Sequence, residues 1–202
     1  MIEALTNPAL KGGVKLLTAL NLDVVARRSV AVPLLLDGNQ LLDFLELERG
    51  YRKVKQLVVD YLVRSYKGEK ASYFKVWHEV KEVVKQIGLP FAYAQQAVKD
   101  AVETYNSWAE VGGRSPEVKK VSPYATPNVW RFNSLTSLSL RLMSGRYTAE
   151  LWPHKRFWLF EWLIRTGRAR RANTIRLKRV GNRVYAVFTY EIEPEAPKEP
   201  VA

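Results

Sequence analysis

The readable pattern begins at residues 23–34, a valine-rich stretch with Arg27 and Arg28 in its middle, which predicts a strand ending near Pro33. The turn signal Asp37-Gly38-Asn39 follows it. Then Phe44, Leu47, Tyr51, Val54, Val58 and Tyr61 recur at alternating three- and four-residue steps, the spacing that lines one face of a helix. Gly50 interrupts that face with a poor helix former. A second apolar face runs Tyr73, Val76, Trp77, Val80, Val83, Val84 and Ile87, with Ser72 as candidate cap and Gly88 and Pro90 as stops. A third starts at Pro90 and runs Ala94, Ala97, Val98, Ala101, Val102, Tyr105 and Trp108, ending before Gly112-Gly113. Its small residues favour close packing on a neighbour.

Beyond Gly113 the repeat shortens to that of strands. Residues 128–133, 137–142 and 146–152 alternate, and 155–165 predict a short helix closed by Gly167. Residues 172–180 and 183–193 predict two strands joined by the hairpin signal Gly181-Asn182. The first twenty residues give only weak signals, and residues 194–202, with their prolines and alternating charge, suit a tail or linker. The order predicts an α+β protein, a β-barrel carrying a helical insertion. It divides into 1–40 (first barrel strand), 41–113 (three-helix insertion), 114–193 (remaining strands with the short helix) and the tail.

Charge sharpens this picture. The 202 residues carry net charge +12, from 32 Lys+Arg against 20 Asp+Glu. Between Arg141 and Arg183, 12 basic residues face only Glu150 and Glu161, whereas residues 1–140 hold 19 basic and 14 acidic ones. Charge concentrated in this way points to a phosphate-bearing partner, RNA or DNA. The absence of cysteine excludes disulfides, Cys-ligated zinc and thiol catalysis. The apolar residues 14–25 are broken by Lys15, Asn21 and Asp23, so neither a signal peptide nor a membrane span is expected, and the cytoplasm is the default location.

Catalytic chemistry finds little to build on. The only histidines, His78 and His154, fall short of the three or four ligands of a zinc site. His78, between Trp77 and Glu79, is expected on an exposed helix shoulder. No nucleophile elbow, phosphate-binding glycine loop or triad spacing is present. No catalytic residue, metal or cofactor is therefore expected.

The positive signal lies in Lys155, Arg156, Arg165, Arg168, Arg170, Arg171, Arg176, Lys178 and Arg179, which alternate with Phe157, Trp158, Phe160, Trp162 and Tyr185. Guanidinium forks bind phosphate oxygens, and aromatic rings offer stacking faces to bases. Arg176 and Lys178 share one face of their strand. Phe157, Phe160 and Leu163 are expected in the core. Arg27 and Arg28 form a second, smaller patch. In the proline-punctuated residues 116–130, Tyr124 and Trp130 either stack on bases or pin a long connection to the core.

The ordered features resemble the N-terminal half of the transposon-encoded TnpB proteins, RNA-guided nucleases related to type V CRISPR effectors. Val32-Pro33-Leu34 leads into helix 44–61 where that family has its first barrel strand and opening recognition helix. Leu89-Pro90-Phe91-Ala92-Tyr93-Ala94-Gln95-Gln96-Ala97-Val98-Lys99 with Tyr105-Asn106-Ser107-Trp108 looks like its later recognition helix. Arg146-Tyr147-Thr148-Ala149-Glu150-Leu151 and Ile175-Arg176-Leu177-Lys178-Arg179-Val180-Gly181-Asn182-Arg183-Val184-Tyr185-Ala186-Val187-Phe188 look like its closing strands. The similarity covers roughly residues 23–193. It implies a wedge-like barrel with an inserted three-helix recognition domain that binds guide RNA and target DNA. The family's RuvC-like nuclease domain and zinc finger would follow this point, so the chain is expected to be a fragment or a shortened relative, and no catalytic residue carries over.

The expectation is thus a nucleic-acid-binding module that is not an enzyme by itself, gripping backbone phosphates. A standalone single-strand binder and a basic protein–protein adaptor are the alternatives. Reversing Arg170 and Arg171 to Glu is expected to weaken binding without unfolding the domain.

Overall fold

The computed structural model describes residues 26–193; the weak signals of residues 1–25 and the tail 194–202 lie outside the described residues. Strand β1 (Ala26–Leu35) leads into helices α1 (Gly38–Tyr66), α2 (Tyr73–Lys85) and α3 (Phe91–Val111). Then come β2 (Tyr124–Ala125), β3 (Trp130–Ser134), β4 (Ser137–Arg141), β5 (Arg146–Leu151), α4 (Lys155–Arg165), β6 (Ala169–Arg171), β7 (Ile175–Val180) and β8 (Arg183–Ile192).

The strands form one antiparallel sheet in the order β2-β7-β8-β1-β5-β4-β3, with β6 paired to the last residues of β8. The two edge strands, β2 and β3, are consecutive in sequence, and the Thr126 carbonyl accepts from the amides of Val129 and Trp130 in the turn between them. The Trp130 indole donates across the gap to the Asn173 carbonyl at 3.0 Å. The sheet is therefore nearly closed, and the architecture is α+β and barrel-like. Alternation sorts its two faces: Val184, Ala186, Phe188, Tyr190 and Ile192 of β8 point inward and are buried.

Two sequence signals explain how the strands pair. Pro33 sits inside β1, opposite Tyr185. Its carbonyl accepts from the Trp152 amide, so its missing N–H faces the side where pairing with β5 is ending and the ladder to β8 loses no bond. Gly181 joins β7 to β8 with φ +60°, while Asn182 keeps a negative φ, the signature of a type II′ hairpin. The strand predicted over 172–180 is split in two. From Arg171↔Tyr190 to Arg176↔Val187 the chain advances five residues against three on β8, so residues 172–174 bow out of the ladder. β2 was not predicted.

Asp37-Gly38-Asn39, expected as a turn, is the start of α1. The Asp37 carboxylate accepts from the Gln40 amide and the Gln40 side chain accepts from the Asp37 amide, a capping box. Gly50 has a packing reason: a Cβ there would lie 2.9 Å from Leu89 Cδ2, so its absence lets the α2–α3 connection approach α1. Ser72 holds the cap position of α2, yet its side chain makes no capping bond. Buried Ala94, Ala97 and Ala101 let α3 lie close to α1, and Lys55 pairs with Asp100 at 2.9 Å between them.

The helices meet the barrel at its ends. The buried Asp43 carboxylate of α1 accepts from the Ser144 amide, the Tyr93 hydroxyl donates to the Arg141 carbonyl, and Glu48 pairs with Arg179. These contacts lie at the end where β1 finishes. At the other end α4 turns Phe157, Phe160 and Leu163 inward, with Phe160 stacked on Tyr190 at 4.8 Å. His154 caps α4: its Nδ1 accepts from the Arg156 amide and its Nε2 lies 3.2 Å from the Ala31 carbonyl. An amide can only donate and a carbonyl can only accept, so both bonds require the neutral ring protonated at Nε2.

Candidate nucleic-acid interface

The strand registers place the basic residues in rows on the outer face of the sheet. One row runs Lys178, Tyr185, Pro33 and then Trp152, whose amide bonds to Pro33. The next runs Arg176, Val187, Ala31 and then His154. Strands lie about 4.8 Å apart, so each row carries the face from β7 to the start of α4 in about 15 Å. A third row, beyond the bulge, sets Arg170 beside Glu191 and Arg27. Ile175 and Leu177 are fully buried, which leaves Arg176 and Lys178 on the solvent side.

Ion pairing divides the predicted cations into two groups. Arg27 pairs with Glu191 at 2.7 Å, Arg170 with Glu193 at 3.2 Å and Arg179 with Glu48 at 2.8 Å. Arg171 is the deepest. Its guanidinium bonds Glu161 at 2.6 Å, lies 4.3 Å over the Phe132 ring and keeps only 24% of its side chain exposed. Glu161 is 7% exposed and also accepts from the Tyr190 hydroxyl at 2.9 Å. Burial, reinforced by the Glu161 charge, pushes the Tyr190 phenol well above its ordinary value. Arg171 is therefore tied to the barrel by a buried partner, and its reversal to Glu would set two carboxylates together, so this reversal is expected to cost stability as well as binding.

Lys155, Arg156, Arg165, Arg176, Lys178 and Arg28 are exposed and make no ion pair among the described residues. Arg176 lies 4.7 Å over the ring of Tyr124, which holds it on the surface without neutralising it. Arg168 is half-buried after α4, and its carbonyl accepts from the Glu193 amide.

The two aromatic candidates of residues 116–130 part company. Trp130 is 6% exposed and packs on Phe132 and Phe188, so it pins the chain and has no face for a base. Tyr124 is half-buried on β2 beneath Arg176. Burial pushes its phenol up, and the Arg176 charge opposes that.

Two features escaped sequence reasoning. Trp152, which it did not single out, is 68% exposed, and with Trp158 at 42% and Trp162 at 37% it leaves only Phe157 and Phe160 buried among the aromatics of residues 152–165. The helical spacing of Trp158 and Trp162 from Lys155 and Arg165 was the available signal. The other feature is an open cleft of about 1290 Å³ between α1 and α2, lined by Arg49, Arg52, Lys53, Arg64 and Lys119. The four cations of α1 recur on one helical stripe and make no ion pair among the described residues, and the run of Arg49, Arg52, Lys53 and Lys55 was the signal available in the sequence.

Among the described residues, no group of three or more His, Asp or Glu side chains is placed to hold a metal ion. His78 is exposed on α2. No helix among the described residues is long and apolar enough to cross a membrane. Compared with known protein families and with curated proteins, the chain matches none.

Proposed function

We propose that this chain is a nucleic-acid-binding module that grips backbone phosphates with the outer face of its barrel and the exposed side of α4. One observation carries the reading. Four acids near this face are already held by Arg27, Arg170, Arg171 and Arg179, while Arg176, Lys178, Lys155, Arg156 and Arg165 are exposed and make no ion pair among the described residues. Exposed Glu150 on β5 is outnumbered by these cations, and a surface with such a surplus attracts polyanions and releases their counterions on binding. The resemblance to the TnpB proteins names the ligands as structured RNA and an RNA–DNA or DNA duplex. On that reading the barrel is the wedge, α1–α3 are the inserted recognition domain, and the chain binds in the cytoplasm without cleaving.

Anisotropy of labelled structured RNA and duplex DNA across a salt series tests this. Each phosphate contact contributes about one unit to the slope of log affinity against log salt. Reversing Arg176 and Lys178 to Glu is expected to lower affinity at least about tenfold and to flatten the slope by about two. Binding that ignores salt, or no binding of RNA or DNA at low salt, overturns the proposal. Purification free of nucleic acid with one acidic protein would favour an adaptor instead.

A further inference from the structure

Helix α4 turns one stripe to solvent: Lys155, Trp158, Trp162 and Arg165 follow one another at steps of three, four and three residues, and all four are exposed. The aliphatic and remaining aromatic residues of the helix, Phe157, Leu159, Phe160 and Leu163, are buried on its other side. Just before the helix, Trp152 stands exposed at the end of the row that begins with Lys178 and Tyr185. Burying a large aromatic side chain is favourable, so three tryptophans left in water on one side of the molecule forgo a substantial gain. Their polar ends are free as well. The indoles of Trp108 and Trp130 donate to backbone carbonyls, whereas those of Trp152, Trp158 and Trp162 have no acceptor among the described residues.

We infer that Trp152, Trp158 and Trp162 form a stacking platform for unpaired nucleotides, with Lys155, Arg156 and Arg165 holding the adjoining phosphates. The inference rests on the nucleic-acid reading above and names the part of the ligand that this side takes. The spacing selects single strands. Trp158 and Trp162 are separated by about 6 Å along the helix axis, whereas bases in a duplex stack about 3.4 Å apart with their faces covered. Only bases splayed out of a stack can lie on successive indoles. Charge points the same way, since Glu161, the one acid of α4, is buried and held by Arg171. A membrane surface suits the stripe less well. Cations and indoles share one face, so sinking the rings would drag Lys155 and Arg165 with them, and α4 itself adds no exposed aliphatic side chain.

The test uses the full chain, a labelled oligothymidine, a blunt duplex and phosphatidylglycerol vesicles. The variants are W158A/W162A, W152A and, to keep a π-face at each position, W158F/W162F. The expected result is that W158A/W162A lowers affinity for the single strand at least about tenfold while duplex affinity stays within about twofold. W152A gives a smaller loss of the same kind, and W158F/W162F restores most of the binding. Unchanged single-strand affinity in W158A/W162A, with R176E/K178E still weakening the duplex, overturns the platform and leaves phosphate binding standing. Wild-type protein that binds neither nucleic acid overturns both. Tryptophan-dependent binding to the vesicles with none to the single strand replaces the platform with a membrane contact.

Discussion

The barrel and the helical layer both carry exposed cations, but they neutralise them differently. On the barrel, Arg27, Arg170, Arg171 and Arg179 are each matched to a glutamate, while Arg28, Arg131, Arg141, Arg176, Lys178, Arg183 and the cations of α4 are exposed and make no ion pair among the described residues. In the cleft between α1 and α2, Arg49, Arg52, Lys53 and Arg64 have no carboxylate partner. The acids beside them are occupied otherwise: Asp60 accepts from Gln56, and Glu79 accepts from the hydroxyls of Tyr61 and Tyr66. Local density of positive residues thus overstates the free charge of the barrel and understates that of the helices. Partners, and not counts, set what a phosphate can reach.

The largest test of this division concerns Trp130. If it is core and not a stacking contact, Trp130→Ala costs about 3–5 kcal/mol in urea unfolding, and any loss of binding follows the loss of folded protein. Arg171→Glu comes next, at about 3 kcal/mol, because it leaves the buried Glu161 carboxylate facing a second one. The paired change R176E/K178E stays within about 0.5 kcal/mol, since both residues are exposed and unpaired. Equal stability of Arg171→Glu and R176E/K178E would erase the distinction between the two groups of arginines.

Binding measurements sharpen the comparison further. Reversing Arg52 and Lys53 to Glu is expected to lower affinity for structured RNA about twofold to fivefold, less than the barrel reversal, with a correspondingly smaller change in salt slope. An equal loss would mean that one ligand spans both surfaces.

The smallest effect is alkaline. Burial and then the Glu79 hydrogen bond push the Tyr66 phenol up to about 12, and burial pushes Tyr51 and Tyr93 of the same layer up as well. A phenol that ionises later in the folded state contributes stability that is complete below an unfolded pKa of about 10 and is lost as pH rises through the folded value. Tyrosinate absorbance in the native protein should therefore lag that of the unfolded chain above this point. Coincident titration curves would contradict the burial of these rings.

Much of the fold was legible along the chain. Helical spacing located α1 to α3, Lys155–Arg165 fell where α4 lies, and Gly181-Asn182 marked the hairpin. These signals are local, fixed by 3.6- and 2-residue repeats and by the φ freedom of glycine. The misreadings had two sources. Asp37 looked like a turn although Gln40, three residues on, closes a local capping box, whereas Asn173 and Thr174 looked like strand until the register to distant β8 and the Trp130 bond drew them out.

The sequence by itself determined an α+β chain with a basic stretch and no candidate catalytic cluster, because repeats and composition need no knowledge of neighbours. Only the tertiary structure decided which charges are free and which rings are wet. It matched Glu161 to Arg171 across ten residues and Glu48 to Arg179 across 131, and it turned Trp130 inward and Trp158 outward. Desolvation and pairing are properties of groups brought together in space, and a linear pattern of cations and aromatics cannot express them.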